Sequence, residues 1–325
     1  MFYAIRSQIP KSDAPMTIHT LASINLDHVY RLPHHPTPGE TLAATATSTH
    51  LGGKGANQAL AIARAEGKVR MGGMIHKTDT HWLTPLTQAG VDTTAIIEQT
   101  ETATGHAIIA LDEAGENTII LAPLSNQALP ASLIATLLDP ASPNDWALTQ
   151  NETNQTSPFI HAAKAKGMHV CYSAAPFVAG ITAKLLPMVD MLVVNEGEAH
   201  ALTQHLGKPA EAIIAESMSQ DSPATNTTIT LPMLIITRGK DGADCLTKEG
   251  RHHCPALPAK ITDTTGAGDT YLGYMLAGLD NGLGLEEAMQ LSAAAAAIQI
   301  SRLGAAEAIP DLTETRQYLT QHPQS

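Results

Sequence analysis

From Leu133 onward the chain repeats one arrangement: a short apolar run closed by a polar or glycine-rich cluster. Residues 146–148 run into Gln150-Asn151-Glu152, and residues 169–172 run into Ser173-Ala174-Ala175-Pro176. Residues 191–194 meet Asn195-Glu196-Gly197-Glu198, and residues 234–236 meet Thr237-Arg238-Gly239-Lys240-Asp241-Gly242. Strand-like runs alternating with helical patterns predict a parallel sheet with covering helices. Such a sheet puts all four clusters on one edge, where a doubly wound fold keeps its ligands.

Earlier in the chain, residues 17–24 read as a buried strand ending at Asn25-Leu26-Asp27, which is either a turn or a ligand clamp. Pro36-Thr37-Pro38-Gly39-Glu40-Thr41 and the Thr/Ala segment up to Leu51 suit an edge hairpin. Gly52-Gly53-Lys54-Gly55-Ala56-Asn57-Gln58 then precedes a helical run over residues 59–65. Its glycines permit close backbone approach to a ligand, and Lys54 and Asn57 supply donors. The spacing is neither G-x-x-x-x-G-K-S/T nor G-x-G-x-x-G, and a turn before a helix is the plainer alternative. Residues 69–75 and 107–111 are strand-like, and Ala114-Gly115-Glu116-Asn117 turns the second of these into a hairpin with residues 118–121.

Near the C-terminal end stands Asp263-Thr264-Thr265-Gly266-Ala267-Gly268-Asp269-Thr270, followed by Tyr271, Leu272, Met275, Leu276 and Leu279 at helical spacing, with Gly278 and Gly282 punctuating the end. Two glycines just before a helix turn backbone N–H groups toward one point, and the helix adds its positive end, so the place suits an anion. Asp269 on the first turn is either a capping acid or a base that strips a hydroxyl beside that anion.

The chain of 325 residues has a formal charge of −12, which argues against a nucleic-acid or anionic-membrane partner. Cys171, Cys245 and Cys254 show no C-x-x-C spacing, the plain reading being a reduced cytoplasmic protein. No apolar run approaches the ~20 residues that span a bilayer. Residues 1–16 read as a loose N-terminal extension without signal-peptide character, residues 17–325 as one domain, and residues 216–228 as an exposed insertion. His252-His253-Cys254 lacks a partner cluster at metal-ligand spacing, His34-His35 reads as solvated surface, and Cys171 as core.

The strings at 52–58 and 263–270 closely resemble the two signatures of the ribokinase/PfkB family of carbohydrate kinases, and the N-x-x-E and T-x-G-x-x-G stretches at 195–198 and 237–242 fall between them in the expected order. The resemblance implies a three-layer α/β sandwich with a central, mostly parallel sheet and a small β lid from about 28–50 and 103–121, pairing between subunits of a homodimer. It implies ATP-dependent phosphorylation of a sugar hydroxyl, D-ribose to D-ribose 5-phosphate, or of another sugar or a nucleoside. A sugar- and nucleotide-binding regulator without catalysis is the alternative from a different class.

By the same resemblance, Asn25, Asp27, Gly53, Lys54, Asn57, Glu152 and Asp269 hold the sugar. Gly266, Ala267 and Gly268 form the anion hole, and Asp269 is the general base. Asn195 and Glu198 organise Mg²⁺ and phosphate, and Thr237, Arg238, Gly239, Lys240, Asp241 and Gly242, with Gly268, meet the nucleotide. Asp263 and Thr265, with carbonyls of Gln299, Arg302 and Gly304, would ligate a monovalent cation, K⁺. The chain departs from the pattern at Ala308, where a serine oxygen is usual, at Ala22, and at Lys77-Thr78-Asp79-Thr80-His81-Trp82, where a G-D-D-x-x-G turn is usual.

Overall fold

Strand β1 (Ile18–Leu21) is wholly buried, and only three residues separate it from β2 (Asn25–Arg31), whose far end is exposed. The computed structural model describes residues 16–216 and 232–322, so the readings made for residues 1–15 and 217–228 lie outside the described residues. After β3 (Ala46–Gly52) come helix α1 (Lys54–Arg64), β4 (Val69–His76), α2 (Thr84–Gln88), β5 (Asp92–Gln99), β6 (Gly105–Leu111) and β7 (Asn117–Ala122). The alternating half continues as α3 (Ser132–Leu138), β8 (Trp146–Gln150), α4 (Thr156–Ala165), β9 (His169–Ser173), α5 (Ala179–Leu185), β10 (Met191–Asn195), α6 (Glu196–Leu206), α7 (Ala210–Glu216) and β11 (Met233–Thr237). The hairpin β12 (Ala243–Thr247) and β13 (Gly250–Cys254) leads to α8 (Ala267–Asp280), α9 (Leu285–Ile300) and α10 (Leu312–Gln321).

The large sheet runs β13-β12-β11-β10-β9-β8-β1-β4-β5. Every pairing from β11 to β5 is parallel, and the last two strands turn back antiparallel. Both faces are covered, as a parallel sheet requires. Met191, Val193, Met233 and Ile235 point into a core shared with α1, α8 and α9. Their neighbours Leu192, Val194, Leu234 and Ile236 point into a second core with α3, α4 and α6. The predicted three-layer sandwich is therefore present.

The small sheet has the order β3-β2-β6-β7, with β2 and β6 parallel and both outer pairs antiparallel. It starts at Asn25 and runs through Gly52, somewhat wider than the expected 28–50. Residues 25–27 thus open a strand instead of closing one. The root of this sheet is buried at Leu26, Leu51 and Ala107, whereas Ile119 and Ile120 on β7 are 55% and 62% exposed, so its β7 edge is bare among the described residues.

Close approaches at two glycines hold α1 in place. A Cβ on Gly273 of α8 would lie 2.4 Å from Ala61 Cβ of α1, so the two helices meet at a separation only glycine allows. Gly55 is similarly pressed against Ala22, which makes the departure at Ala22 a matter of packing between the end of β1 and α1. Gly278, expected to stop α8, lies inside it against Ala288, and the left-handed Gly282 (φ 83°) comes after the helix end.

Candidate active site

The abrupt crossing from β1 to β2 puts Asn25 and Asp27 at the root of the small sheet. Asn25 is buried, and its Oδ1 accepts from Asn126 Nδ2 at 2.8 Å. Asn126 also brackets the Ile24 peptide, accepting from its N–H at 2.9 Å and donating to its carbonyl at 3.1 Å. With its oxygen so held, what Asn25 can offer a ligand is its amide donors. Asp27 lies against Gly52, where a Cβ would stand 2.1 Å from its Oδ2. Burial, then the neighbouring Glu152 and, more weakly, Glu307, raise the Asp27 carboxyl to about 6 against the pull of His50 and Lys54.

Gly53, at φ 92°, caps α1 without a side chain. The first amides of the helix are met from elsewhere: Lys54 N–H donates to Glu152 Oε2 at 3.1 Å, and Gly55 N–H donates to Ser23 Oγ at 3.1 Å. Ser23 in turn donates to the same Glu152 oxygen. A carboxylate at a helix N-terminus is favoured by the macrodipole, so Glu152 is fixed at the entry to α1 from the end of β8. Burial depresses the Lys54 ammonium, but Asp269, Glu152, Glu198 and Asp27 together outweigh it and raise its pKa.

One turn further along α1, Asn57 Nδ2 and Gln58 Nε2 donate to the two oxygens of Asp269, at 3.3 and 2.8 Å. Gln58 is itself held by Gln150 Nε2, which donates to its Oε1 at 2.7 Å, and it also donates to Ser173 Oγ at 3.2 Å. Asp269 sits in the first turn of α8 behind the left-handed Gly266 (φ 77°). Burial raises its pKa, and Lys54, Gln58 and Asn57 offset part of that rise while Glu152 adds to it. Ala267 N–H makes a long 3.3 Å bond to Thr264 O, whereas the N–H groups of Gly266 and Gly268 have no protein acceptor among the described residues. Asn57 Oδ1 and Gln150 Oε1 are buried with no partner among the described residues, a state polar atoms rarely keep unless a ligand or water completes them.

The nucleotide-side candidates lie side by side, Asn195 and Thr237 being register partners on β10 and β11. Asn195 and Glu198 form a capping box: Glu198 N–H donates to Asn195 Oδ1 at 2.9 Å and Asn195 N–H to Glu198 Oε2 at 2.8 Å. Residues 239–241 make a tight turn closed by Arg238 N–H donating to Gly242 O at 2.8 Å. The Arg238 guanidinium is directed to Glu196 and the buried Asp244, Lys240 and Asp241 are exposed, and Gly242 is pressed against the backbone of residues 254–256. Burial works against the Asp244 charge, yet Arg251, His253 and Arg238 hold its pKa down at about 2.

Around the anion loop, Asp263 accepts from Thr265 N–H at 2.9 Å and from Gly304 N–H at 3.0 Å. The wholly buried Gln299 reaches in from the last turn of α9, its Nε2 donating to Thr265 O, Gly304 O and Ala305 O at 3.0, 3.2 and 3.0 Å. Thr270 Oγ1 donates to its Oε1 at 3.3 Å. Arg302 turns its guanidinium to Glu314 and toward Ala308 O.

Ser23 and Asn126 carry no signal of their own in the sequence, and Gln58, Gln150 and Ser173 fall inside the quoted clusters without a role assigned, because each works through a partner far along the chain. Among the weaker candidates, His253 pairs with Asp244, Cys254 and Cys171 are buried, and His34 is exposed beside Glu40. Among the described residues no cluster of histidine, cysteine or acidic groups could hold a metal. The divergent turn at 77–83 is a 3-10 segment in which Asp79 accepts from Thr104 Oγ1 at 2.6 Å, tying it to the start of β6.

Comparison with known proteins gives one consistent answer. Residues 17–312 match the model of the pfkB family carbohydrate kinase. The chain is 32% identical to a ribokinase from Haemophilus influenzae over 93% of its own length and 98% of the relative's. It is 27% identical to a deoxyribokinase from Salmonella typhi, over 94% and 99%. The crystal structure of a Cryptococcus neoformans ribokinase in complex with ADP superimposes with a TM-score of 0.79 at 30% identity, covering 93% of this chain and 99% of that one.

Proposed function

This chain belongs to the pfkB family of carbohydrate kinases, and from that premise we propose that it moves the terminal phosphoryl group of ATP onto the 5-hydroxyl of D-ribose, giving D-ribose 5-phosphate. One observation carries the reading. The opening turns of α1 serve both ends of the reaction at once: Lys54 N–H holds Glu152 among the sugar-side residues, and Asn57 and Gln58 hold Asp269.

In this mechanism Asn25 and Asn57 donate to sugar hydroxyls, and Asp27 and Glu152 accept from a vicinal pair. The unpaired Asn57 Oδ1 gives a further acceptor. An analogue lacking a hydroxyl leaves one of these groups buried without a partner, at a cost of about 1–3 kcal/mol, which favours ribose over a deoxy sugar. Asp269 takes the hydroxyl proton as phosphate arrives, and burial, by raising its pKa, makes it a stronger base than an ordinary carboxylate. The N–H groups of Gly266 and Gly268 and the positive end of α8 stabilise the charge that gathers on the phosphoryl oxygens. Thr237, the turn at 239–242 and the Asn195–Glu198 corner would meet the nucleotide. Asn195 and Glu198 would hold Mg²⁺ beside the phosphates, an ion that would supply neutralisation of their charge. Lys54 stays protonated between the two ends.

The bare, apolar β6–β7 side of the small sheet, with Ile108, Ile119, Ile120 and Leu121 exposed, supports pairing of two such sheets in a homodimer. Three free, buried cysteines suit a reducing cytoplasm.

The test is ADP release across ribose, 2-deoxyribose, fructose, adenosine and pseudouridine. Ribose is expected to give the highest kcat/KM, and Asp269→Asn to lower kcat by about 10²–10⁴-fold. Preference for a nucleoside would overturn the substrate, and binding of ATP and ribose without turnover would favour a regulator.

A further inference from the structure

The resemblance places a monovalent cation beside the anion loop, and the residues found there do not fit one. An ion of that kind needs several oxygens converging on an open point. Here two of the expected carbonyls, Thr265 O and Gly304 O, converge together with Ala305 O on the amide nitrogen of Gln299. The expected Gln299 carbonyl already accepts from Arg302 N–H at 3.2 Å, and Ala308, which stands where a serine is usual, has no side-chain oxygen. Both Asp263 oxygens accept backbone N–H groups from the same two loops.

We propose that the Gln299 side chain stands in for the monovalent cation, so that phosphoryl transfer by this protein needs none. Nε2 carries two hydrogens of partial positive charge, shared among three carbonyl dipoles, and it is tethered to a buried helix where an ion is merely bound. Its orientation is determined by chemistry. Turning the amide round would set Oε1 against three carbonyl oxygens and remove the acceptor that Thr270 Oγ1 uses.

The consequence for the reaction runs through one peptide group. Thr265 C=O and Gly266 N–H belong to the same planar trans unit and point in opposite directions. Drawing Thr265 O toward Gln299 therefore turns Gly266 N–H the other way, which is how an anion hole must be preset. Gln299 is a positioning residue acting through that peptide and through the loop at 304–305.

The experiment compares turnover of the best sugar in KCl, NaCl and tetramethylammonium chloride at matched ionic strength, together with thermal midpoints in the same salts. Wild-type kcat is expected to agree within about twofold across the three, with matching midpoints. Gln299→Ala vacates the position; its kcat in tetramethylammonium is expected to fall more than tenfold, and K⁺ to restore much of it and raise the midpoint. Gln299→Met fills the space without a donor and is expected to stay impaired in every salt. Several-fold activation of the wild type by K⁺ would overturn the proposal, as would full activity of Gln299→Met in tetramethylammonium. Should Gln299→Ala fail to fold, the wild type and Gln299→Met decide. The turnover arm rests on the kinase reading. If no sugar turns over in any salt, that reading fails, while a wild-type midpoint that climbs with K⁺ still counts against Gln299.

Discussion

Replacing Gly52 by alanine probes the sugar end of the site without touching the phosphoryl machinery. Gly52 closes β3 opposite Asn25, and its missing side chain makes room for Asp27. An added methyl would lie 2.1 Å from one Asp27 carboxylate oxygen, 2.6 Å from the other and 2.4 Å from the carbon between them, all well inside the 3.0 Å that real contacts respect. The obstructing atoms are the end of a side chain, so the relief is for Asp27 to swing away while the strands hold. The sugar then loses one charge-assisted hydrogen bond, worth about 1.5–3 kcal/mol. At about 1.4 kcal/mol per decade this is roughly 10- to 100-fold in ribose affinity. Because Asp269 keeps Gln58 and Asn57, kcat at saturating ribose is expected to change little. Calorimetric titration of ribose gives the first quantity and ADP release the second, and Asp27→Asn serves as a shape-preserving check. A folded Gly52→Ala protein with wild-type ribose affinity would refute the assignment of Asp27 to the sugar.

Asp27 also sets a pH dependence. Its folded pKa of about 6 exceeds the ordinary carboxylate value of about 3.9, so between those limits the folded state keeps a proton the unfolded chain has released, and stability falls as pH rises through that window. Sugar affinity should move the other way, weakening up to about tenfold from pH 7 to pH 5 as the acceptor is protonated; a flat titration would exclude this role. Asp244→Asn removes the anchor of Arg238 beside the nucleotide turn and is expected to raise KM for ATP about 3- to 10-fold while ribose KM holds, an equal rise in both counting against it. The stabilisation from the depressed Asp244 pKa of about 2 is present above about pH 4 and lost as pH falls through 2. Ile120→Lys on the bare sheet should convert a dimer to monomer in sedimentation velocity, and an unchanged dimer would place the contact elsewhere.

How far the sequence can be read depends on where each residue sits. Strands β8 to β11 are buried nearly throughout, so they read as unbroken apolar runs, and their closing clusters stand out by contrast. Strand β5 lies at the sheet edge with a mixed pattern, Asp92-Thr93-Thr94-Ala95-Ile96-Ile97-Glu98-Gln99, and gives no such signal. Helix α9 shows only as an alanine run, since burial on most sides removes the polar stripe that marks a helix. Residues 22–24 read as a continuation of β1, and Asn25-Leu26-Asp27 as its end, because the buried pattern continues across the point where the chain changes sheets. Glycines and acids of the site are visible as local strings. The side chains that aim them, Gln150 for Gln58 and Asn126 for Asn25, lie 92 and 101 residues away, and nothing local in either stretch tells which residue it serves. At Gln299 the resemblance points to the main-chain carbonyl, whereas the side-chain amide is the group that reaches the loop.

The first excursion into the small sheet leaves the large one after residue 24 and returns at residue 53, two points held together by Gly53 lying against Ser23 and Asn25, and a second excursion adds β6 and β7. A stalk this narrow behaves as a cassette mount. Asn25 and Asp27 can drift with the inserted strands, while Lys54, Asn57, Glu152 and the proton-abstracting helix, carried by the large sheet and its covering helices, stay in place. A lineage built this way can change what it phosphorylates without relearning how.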